Sequence, residues 1–245
     1  MALDLPRRLI AALDNAQSIA VLTGAGISAE SGVPTFRDAQ AGLWSRYDAQ
    51  ELATADGFAA NPKLVWQWYA WRRNLVAKAQ PNPGHLALAR MQERFIDYAL
   101  ITQNVDGLHE RAGSRNVIEL HGNITRTKCF VEGTPATEWR EDEDVPPRCP
   151  RCSAWLRPDV VWFGEELPRG ALAEAELAAR TSEVFFSIGT SSQVYPAAGL
   201  ADLAKTSGAI VVEINPDQTP LTSLADYSLR GKAGDILPRL VAVLR

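Results

Sequence analysis

Three histidines, His85, His109 and His121, are the side chains of this sequence that titrate near neutrality. His121 closes the apolar run Val117-Ile-Glu-Leu-His121 and stands immediately before Gly122, where a backbone turn opens space for a substrate. A lone histidine there is more often a satisfied structural residue than a catalyst, yet of the three it is the best-placed general base. His85 follows Pro83-Gly84 at the start of a predicted helix and reads as a capping or packing residue. His109 reads as a residue that orients the loop beginning at Gln103. Within that loop, Gln103-Asn104-Val105-Asp106 gathers amide and carboxylate groups at a predicted strand end. Two readings stand side by side: a turn in which Asn104 and Asp106 bond their own backbone, or a site whose donors and acceptors recognise a carboxamide and a ribose.

The cysteines suggest a different chemistry. Cys149-Pro-Arg-Cys152 is a C-x-x-C pair, and Cys129 stands alone upstream. Tetrahedral zinc takes four ligands, generally as two such pairs, and the residue spaced from Cys129 as Cys152 is from Cys149 is Glu132. A carboxylate can ligate zinc. The alternative is three thiols with no metal. Tyr69 and Arg72 are three apart on a predicted helix and share a face. They read either as a surface pair beside Trp66, Trp68 and Trp71, with Arg72 stacked on a ring, or as a carboxylate receptor combining a guanidinium fork and a phenol in an apolar channel.

The elements that must position these residues begin with Ile19–Leu22, a short apolar strand ending in Gly24-Ala25-Gly26. With Ala29 the glycines make G-x-G-x-x-A, a dinucleotide fingerprint in its looser form. A helix starting near Ile27 would aim free N–H groups at a pyrophosphate. Gly32 and Pro34 then break the helix and leave Phe36, Arg37 and Asp38 on a loop beside the phosphate site. Further strands are expected at Ile96–Ile101, Val184–Ile188 and Ile210–Ile214, with helices at Pro83–Glu93, Leu172–Ala179 and Ala197–Lys205 between several of them. This alternation predicts an α/β fold, a parallel Rossmann-like sheet covered on both faces. Its strand ends, Thr23-Gly24, Thr102-Gln103-Asn104, Gly189-Thr190-Ser191 and Asn215-Pro216-Asp217, should converge on one crevice. The sheet domain is expected to comprise residues 1–42, 81–125 and 159–245. A helical insertion over 43–80, with Val65, Trp68, Arg72 and Leu75 along one stripe, and a metal-stapled insertion over 126–158 would form a smaller domain. The acidic run Glu141–Asp144 reads as solvated surface.

Composition excludes some classes. A formal net charge of −4 argues against a nucleic-acid binder held by phosphate contacts. No apolar run reaches the ~20 residues needed to cross a bilayer, so no membrane partner is expected. Leu5, Leu9 and Leu13 recur at helical spacing with no signal-peptide core after them. An odd cysteine count including a C-x-x-C pair fits a reducing compartment, so a soluble, cytoplasmic protein is expected. An ordinary Rossmann dehydrogenase would end its second strand in an acidic residue roughly ~20 positions past the glycines. There the chain offers Trp44 to Asp48, outside any strand pattern.

Taken together, Gly24-Ala-Gly-Ile-Ser28, Gly32-Val-Pro-Thr-Phe-Arg-Asp38, Thr102-Gln-Asn-Val-Asp-Gly-Leu-His109, His121-Gly122, Gly189-Thr-Ser191 and Asn215 resemble the sirtuin family, NAD-dependent protein-lysine deacylases. Thr35 before Phe36 and the Tyr69-x-x-Arg72 pair are similar to its class III, desuccinylase-like members, and the compact start resembles the bacterial ones. The resemblance implies His121 and Asn104 as catalytic residues. It assigns to NAD the residues Gly24, Ala25, Gly26, Ser28, Phe36, Arg37, Gln103, Asn104 and Asp106, and with them Gly189, Thr190, Ser191, Asn215, Pro216, Asp217 and Ala233. Tyr69 and Arg72 would take the negative end of succinyl, malonyl or glutaryl groups on lysine. Val160-Val161-Trp162-Phe163-Gly164-Glu165 resembles the edge segment that pairs with an acyl-lysine protein or peptide. Cys129, Cys149 and Cys152 would hold Zn2+, with the family pattern incomplete at Glu132.

Overall fold

The structure, a computed structural model, describes residues 5–34, 48, 52–139 and 145–244. The expectations for Thr35, Phe36, Arg37 and Asp38, for Trp44 and for the acidic run Glu141–Asp144 lie outside the described residues. In chain order the elements are α1 (Arg7–Asn15), β1 (Ser18–Thr23), α2 (Ala25–Ala29), α3 (Ala55–Ala60), α4 (Pro62–Lys78) and α5 (Pro83–Gln92). They continue with β2 (Asp97–Thr102), α6 (Leu108–Arg111), β3 (Ile118–Glu119), β4 (Gly122–Cys129), β5 (Leu156–Val160) and α7 (Arg169–Thr181). The chain closes with β6 (Val184–Ile188), α8 (Gly199–Thr206), β7 (Ile210–Asn215), a 3-10 turn at Pro220–Ser223, β8 (Tyr227–Arg230) and α9 (Ala233–Val243).

Six strands form one sheet in the order β3-β2-β1-β6-β7-β8, each pairing parallel. The chain runs outward from β1 to β3 and then returns to the other side of β1, so connectivity reverses between β1 and β6. A crevice opens at such a reversal, beyond the carboxyl ends of the strands.

Both faces of the sheet are covered, which is why its central strands are continuously apolar rather than alternating. Ile19 and Val21 of β1, Val184, Phe186 and Ile188 of β6, and Val212 and Ile214 of β7 pack on one face against Leu9 and Leu13 of α1, Leu88 and Met91 of α5, and Ile236, Leu237 and Leu240 of α9. The intervening residues Ala20, Leu22, Phe185 and Val211 face Ala175 and Ala179 of α7 and Leu200, Ala201 and Ala204 of α8. Each fully buried Leu, Ile or Phe contributes about 1.5–3 kcal/mol, so this sandwich fixes the strand ends firmly.

Several boundaries differ from the sequence reading. β2 starts at Asp97 because Ile96 is exposed at the preceding bend. α2 begins at Ala25, not Ile27, and is only 5 residues long. α7 begins earlier and runs longer than the expected span, Arg169–Thr181 against Leu172–Ala179. On α4 the buried stripe is Val65, Trp68, Tyr69 and Val76, whereas Leu75 is only half-buried. Asn61 caps α4 by accepting from Leu64 N at 3.1 Å, and Pro62 supplies the first helical position.

β4 and β5 pair antiparallel in a separate two-stranded sheet. β4 starts at Gly122, so it runs across the boundary expected at 125/126. Phe58, Trp68, Tyr69 and Trp162 join Val33, Leu108, Ile124 and Val160 in one core, which unites the helical insertion with the inner ends of β4 and β5. Beyond it, the buried cluster of Cys129, Cys149 and Leu156 is small.

Candidate active site

The crevice is organised around the turn between β1 and α2. Gly26 N donates to Gly189 O at 2.7 Å, and Gly24 N to Ile188 O at 3.0 Å. A Cβ on Gly24 would lie 2.8 Å from Thr190 Cα, and one on Gly26 2.7 Å from Gly189 O. Gly189 itself stands at φ 59°. The glycines are therefore required by close backbone packing between two strand ends. The expected row of free N–H groups is reduced, because Gly26 N is already occupied.

The strand-end clusters do converge. Gln103 N donates to Thr23 O at 3.0 Å, and its Nε2 donates to Thr190 Oγ1 at 3.0 Å. Asn104 Nδ2 donates to Gly24 O at 3.0 Å and Ser28 Oγ at 3.1 Å. Asn215 Nδ2 donates to Thr190 O at 2.9 Å, while its Oδ1 accepts from Asp217 N at 3.2 Å. Within Gln103–Asp106 the two polar side chains behave differently. Asp106 Oδ1 accepts from Leu108 N at 2.9 Å, as a turn residue would, but Asn104 reaches across to the glycine turn. Ser191, Pro216 and Asp217 stand at the rim of the same strand ends. Ala233 begins α9 and packs beside Gly84, and the next residue's N–H is capped by Glu30 Oε1 at 3.0 Å.

His121 is half-buried, with Nδ1 2.9 Å from Gln103 O. A carbonyl only accepts, so Nδ1 carries the proton and Nε2 of the neutral ring keeps its lone pair. Burial lowers its pKa, and the bond to Gln103 opposes this without cancelling it. The ring is thus held as a neutral base of fixed tautomer.

Behind it lies a buried polar network that chain spacing does not reveal. His85 Nδ1 accepts from Asn82 N at 3.4 Å in a capping box, so Nε2 bears the proton and faces Ser28 Oγ at 3.5 Å. Ser28 also bonds Asp106, whose pKa is raised by burial although that bond, Leu108 N and two arginines work against it. His109 Nε2 lies 2.9 Å from Thr23 Oγ1, and its ring centroid is 4.9 Å from that of His85. Burial pushes His85 down to about 4 and His109 to about 3, so both rings are neutral at pH 7. His85 keeps its expected capping role but also touches the site.

Tyr69 is buried, and Arg72 is half-buried beside it. Arg72 stacks over Trp68, 5.0 Å from its ring centroid. Trp162 Nε1 donates to Tyr69 Oη at 2.9 Å, which leaves the phenol proton to donate elsewhere. Burial pushes Tyr69 up to about 12, with Arg72 opposing it. Burial lowers Arg72, and both Tyr69 and Asp106 oppose that shift electrostatically, so the pair adjoins the strand-end cluster.

In the segment 160–165, Val161 N donates to His121 O at 2.9 Å and Phe163 N to Ala53 O at 2.9 Å. Trp162 N donates to Glu165, which also forms an ion pair with the buried Arg157. Glu165 N donates in turn to Trp162 O at 3.0 Å, so four N–H groups of this segment are already bonded within the chain. The segment turns at Gly164 with φ 84°.

The cysteines come together, and Glu132 comes with them. Ligand atoms of Cys129, Glu132, Cys149 and Cys152 all lie within 4.8 Å of one another, with Cys129 Sγ 3.4 Å from Cys152 Sγ. A set of three thiols and a carboxylate suits zinc, and the slight core around it gives a metal a stapling role.

A profile of the Sir2 family matches residues 24–196, which span the glycine turn, His121 and the cysteines. The chain belongs to the Sir2 family. Among Sir2-family relatives, it is 52% identical over 229 residues to the NAD-dependent protein deacylase of Aquifex aeolicus, covering 93% of this chain and 95% of that one. It superposes on a crystal structure of a Sir2 homologue–NAD complex with a TM-score of 0.90 at 47% identity, over 98% of this chain and 93% of the other. A Sir2 protein bound to acetylated peptide matches with a TM-score of 0.87 at 30% identity, over 96% and 97%. Sir2-family membership agrees with the sirtuin resemblance and the Rossmann-like fold read from the sequence. No helix among the described residues is long and apolar enough to cross a membrane.

Proposed function

We propose that this chain is an NAD-dependent protein-lysine deacylase that prefers succinyl-, malonyl- and glutaryl-lysine and also accepts acetyl-lysine. The observation that carries the reaction is the bond from His121 Nδ1 to Gln103 O, which leaves the Nε2 lone pair to act as a base. When bound, NAD would supply the sugar carbon that accepts the acyl oxygen as its bond to nicotinamide breaks; a ribose hydroxyl then takes the acyl carbon from lysine, one water is consumed, and nicotinamide, free lysine and O-acyl-ADP-ribose leave. Gly24, Ala25 and Gly26 would flank its pyrophosphate, Asn104 and Asp106 its carboxamide, and His121 its ribose. Ser28, Gln103, Gly189, Thr190, Ser191, Asn215, Pro216, Asp217 and Ala233 complete the proposed nucleotide site, together with Phe36 and Arg37 outside the described residues.

His121 Nε2 would take the proton of a ribose hydroxyl, and its low basicity lets it return that proton to solvent readily. Tyr69 and Arg72 would hold an acyl carboxylate, the phenol donating outward because Trp162 occupies its oxygen. Residues 160–165 would receive the peptide backbone. The zinc centre is structural and takes no part in proton transfer. Free cysteines gathered as metal ligands fit a reducing, cytoplasmic setting.

The test is incubation with NAD and acyl-lysine versions of one peptide. Nicotinamide and free lysine should appear together, and His121→Tyr should abolish both while leaving the thermal melt unchanged. Undiminished turnover in that variant removes His121 from the mechanism. Growth of NADH absorbance instead of nicotinamide would make the protein a dehydrogenase.

A further inference from the structure

We propose that Glu132 is the fourth ligand of a three-thiolate, one-carboxylate zinc centre, and that Arg151 and Thr134 hold its outer oxygen. The two cysteine-bearing turns repeat one backbone pattern. At the first turn, Glu132 N donates to Cys129 Sγ at 3.4 Å, Gly133 N to Cys129 O at 3.0 Å, and Cys129 N to Thr134 O at 2.9 Å. At the second, the N–H groups of Arg151 and Cys152 point at Cys149 Sγ. There Ser153 N donates to Cys149 O at 2.9 Å and Cys149 N to Ala154 O at 2.7 Å. The residue after each turn is left-handed, Gly133 at φ 65° and Ser153 at φ 60°. Ser153 pays the strain of that conformation without a glycine's freedom, so the geometry there is imposed by the turn.

Two copies of one ligand-presenting turn thus face each other, and Glu132 occupies in the first the place that Cys152 occupies in the second. N–H groups aimed at a cysteine sulfur stabilise the thiolate form that a metal takes. The Glu132 carboxylate is oriented from outside the cluster. Its Oε2 accepts from Thr134 Oγ1 at 3.2 Å and lies 3.4 Å from Arg151 Nε. Oε1 is then the oxygen available to the ion, giving a single-oxygen ligand. Arg151, between the two cysteines of the second turn, also offsets part of the net negative charge that three thiolates and a carboxylate place around Zn2+.

A carboxylate is a harder donor than a thiolate, so this centre should release zinc more readily than one of four cysteines. X-ray absorption at the zinc edge of the purified full chain should fit three sulfurs at about 2.3 Å and one oxygen at about 2.0 Å. In E132C the shell should become four sulfurs, and zinc should be retained roughly tenfold more tightly against a chelator. E132A and R151A should each lose it roughly tenfold more easily. Equal zinc retention by the natural chain and E132A overturns the assignment, as does an oxygen persisting in E132C. Retention unchanged in R151A overturns the orienting role. Should E132A not fold, the comparison with E132C, which restores a ligand, decides the question.

Discussion

In the proposed function, Arg72 would owe its acyl selectivity to its enclosed setting. An exposed guanidinium discriminates little, whereas one stacked over Trp68 and shut in beside Tyr69 gains a charge-assisted contact worth about 2–3 kcal/mol when a carboxylate arrives. Arg72→Met should therefore lower kcat/KM for a succinyl peptide roughly a hundredfold and spare, or raise, that for its acetyl counterpart. Matched kinetics on the two peptides check this, and an equal loss of both would reduce Arg72 to a support for its helix. His121 gives a second expectation. Burial holds its pKa below the ordinary 6.5, and in the proposed mechanism the neutral ring is the active form. The pH profile of kcat/KM should rise through an apparent pKa under 6.5 and level off by neutrality; a rise centred above that value would contradict the assignment.

At the scale of elements, the turn after β1 is locked to the end of β6 by backbone contact. Gly26→Ala would force a Cβ to within 2.7 Å of Gly189 O. The expected cost is about 1–3 kcal/mol, read as a lower midpoint in urea together with weaker NAD binding by calorimetry. The central strands were legible because burial on both faces makes them uninterrupted apolar runs: Ile19–Leu22 and Val184–Ile188 lie within a residue of their observed bounds. The polar network was not legible. His85 meets Ser28, and His109 meets Thr23, across long stretches of chain that only the fold closes. Spacing could show that Glu132 matches Cys152 in position, but not that its carboxylate joins the thiols. The reduced set of free N–H groups at the glycine turn was likewise hidden, since the group that takes one, Gly189 O, comes from a distant strand.

Across the whole molecule, two neutral histidines are enclosed beneath the crevice, and acid must force protons onto them. Their folded pKa values of about 4 and about 3 lie below the unfolded 6.5, so the unfolded chain binds more protons in between. Stability is full above 6.5 and falls as pH drops toward 4, by about 1.4 kcal/mol per pH unit for each ring. Urea titrations should show the gap between the natural chain and His109→Gln narrowing at about that rate over this window. Chelation should act elsewhere. Because the core around Cys129, Cys149 and Leu156 is small, metal removal should expose the outer amides of β4 and β5 to hydrogen exchange while β1, β6 and β7 stay protected. Protection lost equally in all five strands would mean the metal supports the entire fold. The hydrogen bond from Val161 to the carbonyl of His121 has a consequence of its own. The proposed peptide receptor and the proposed base thus share a single mechanical unit, so a graft that exchanges residues 160–165 to alter which peptides are preferred should also shift the imidazole. Turnover speed and target choice will have to be re-engineered as one trait.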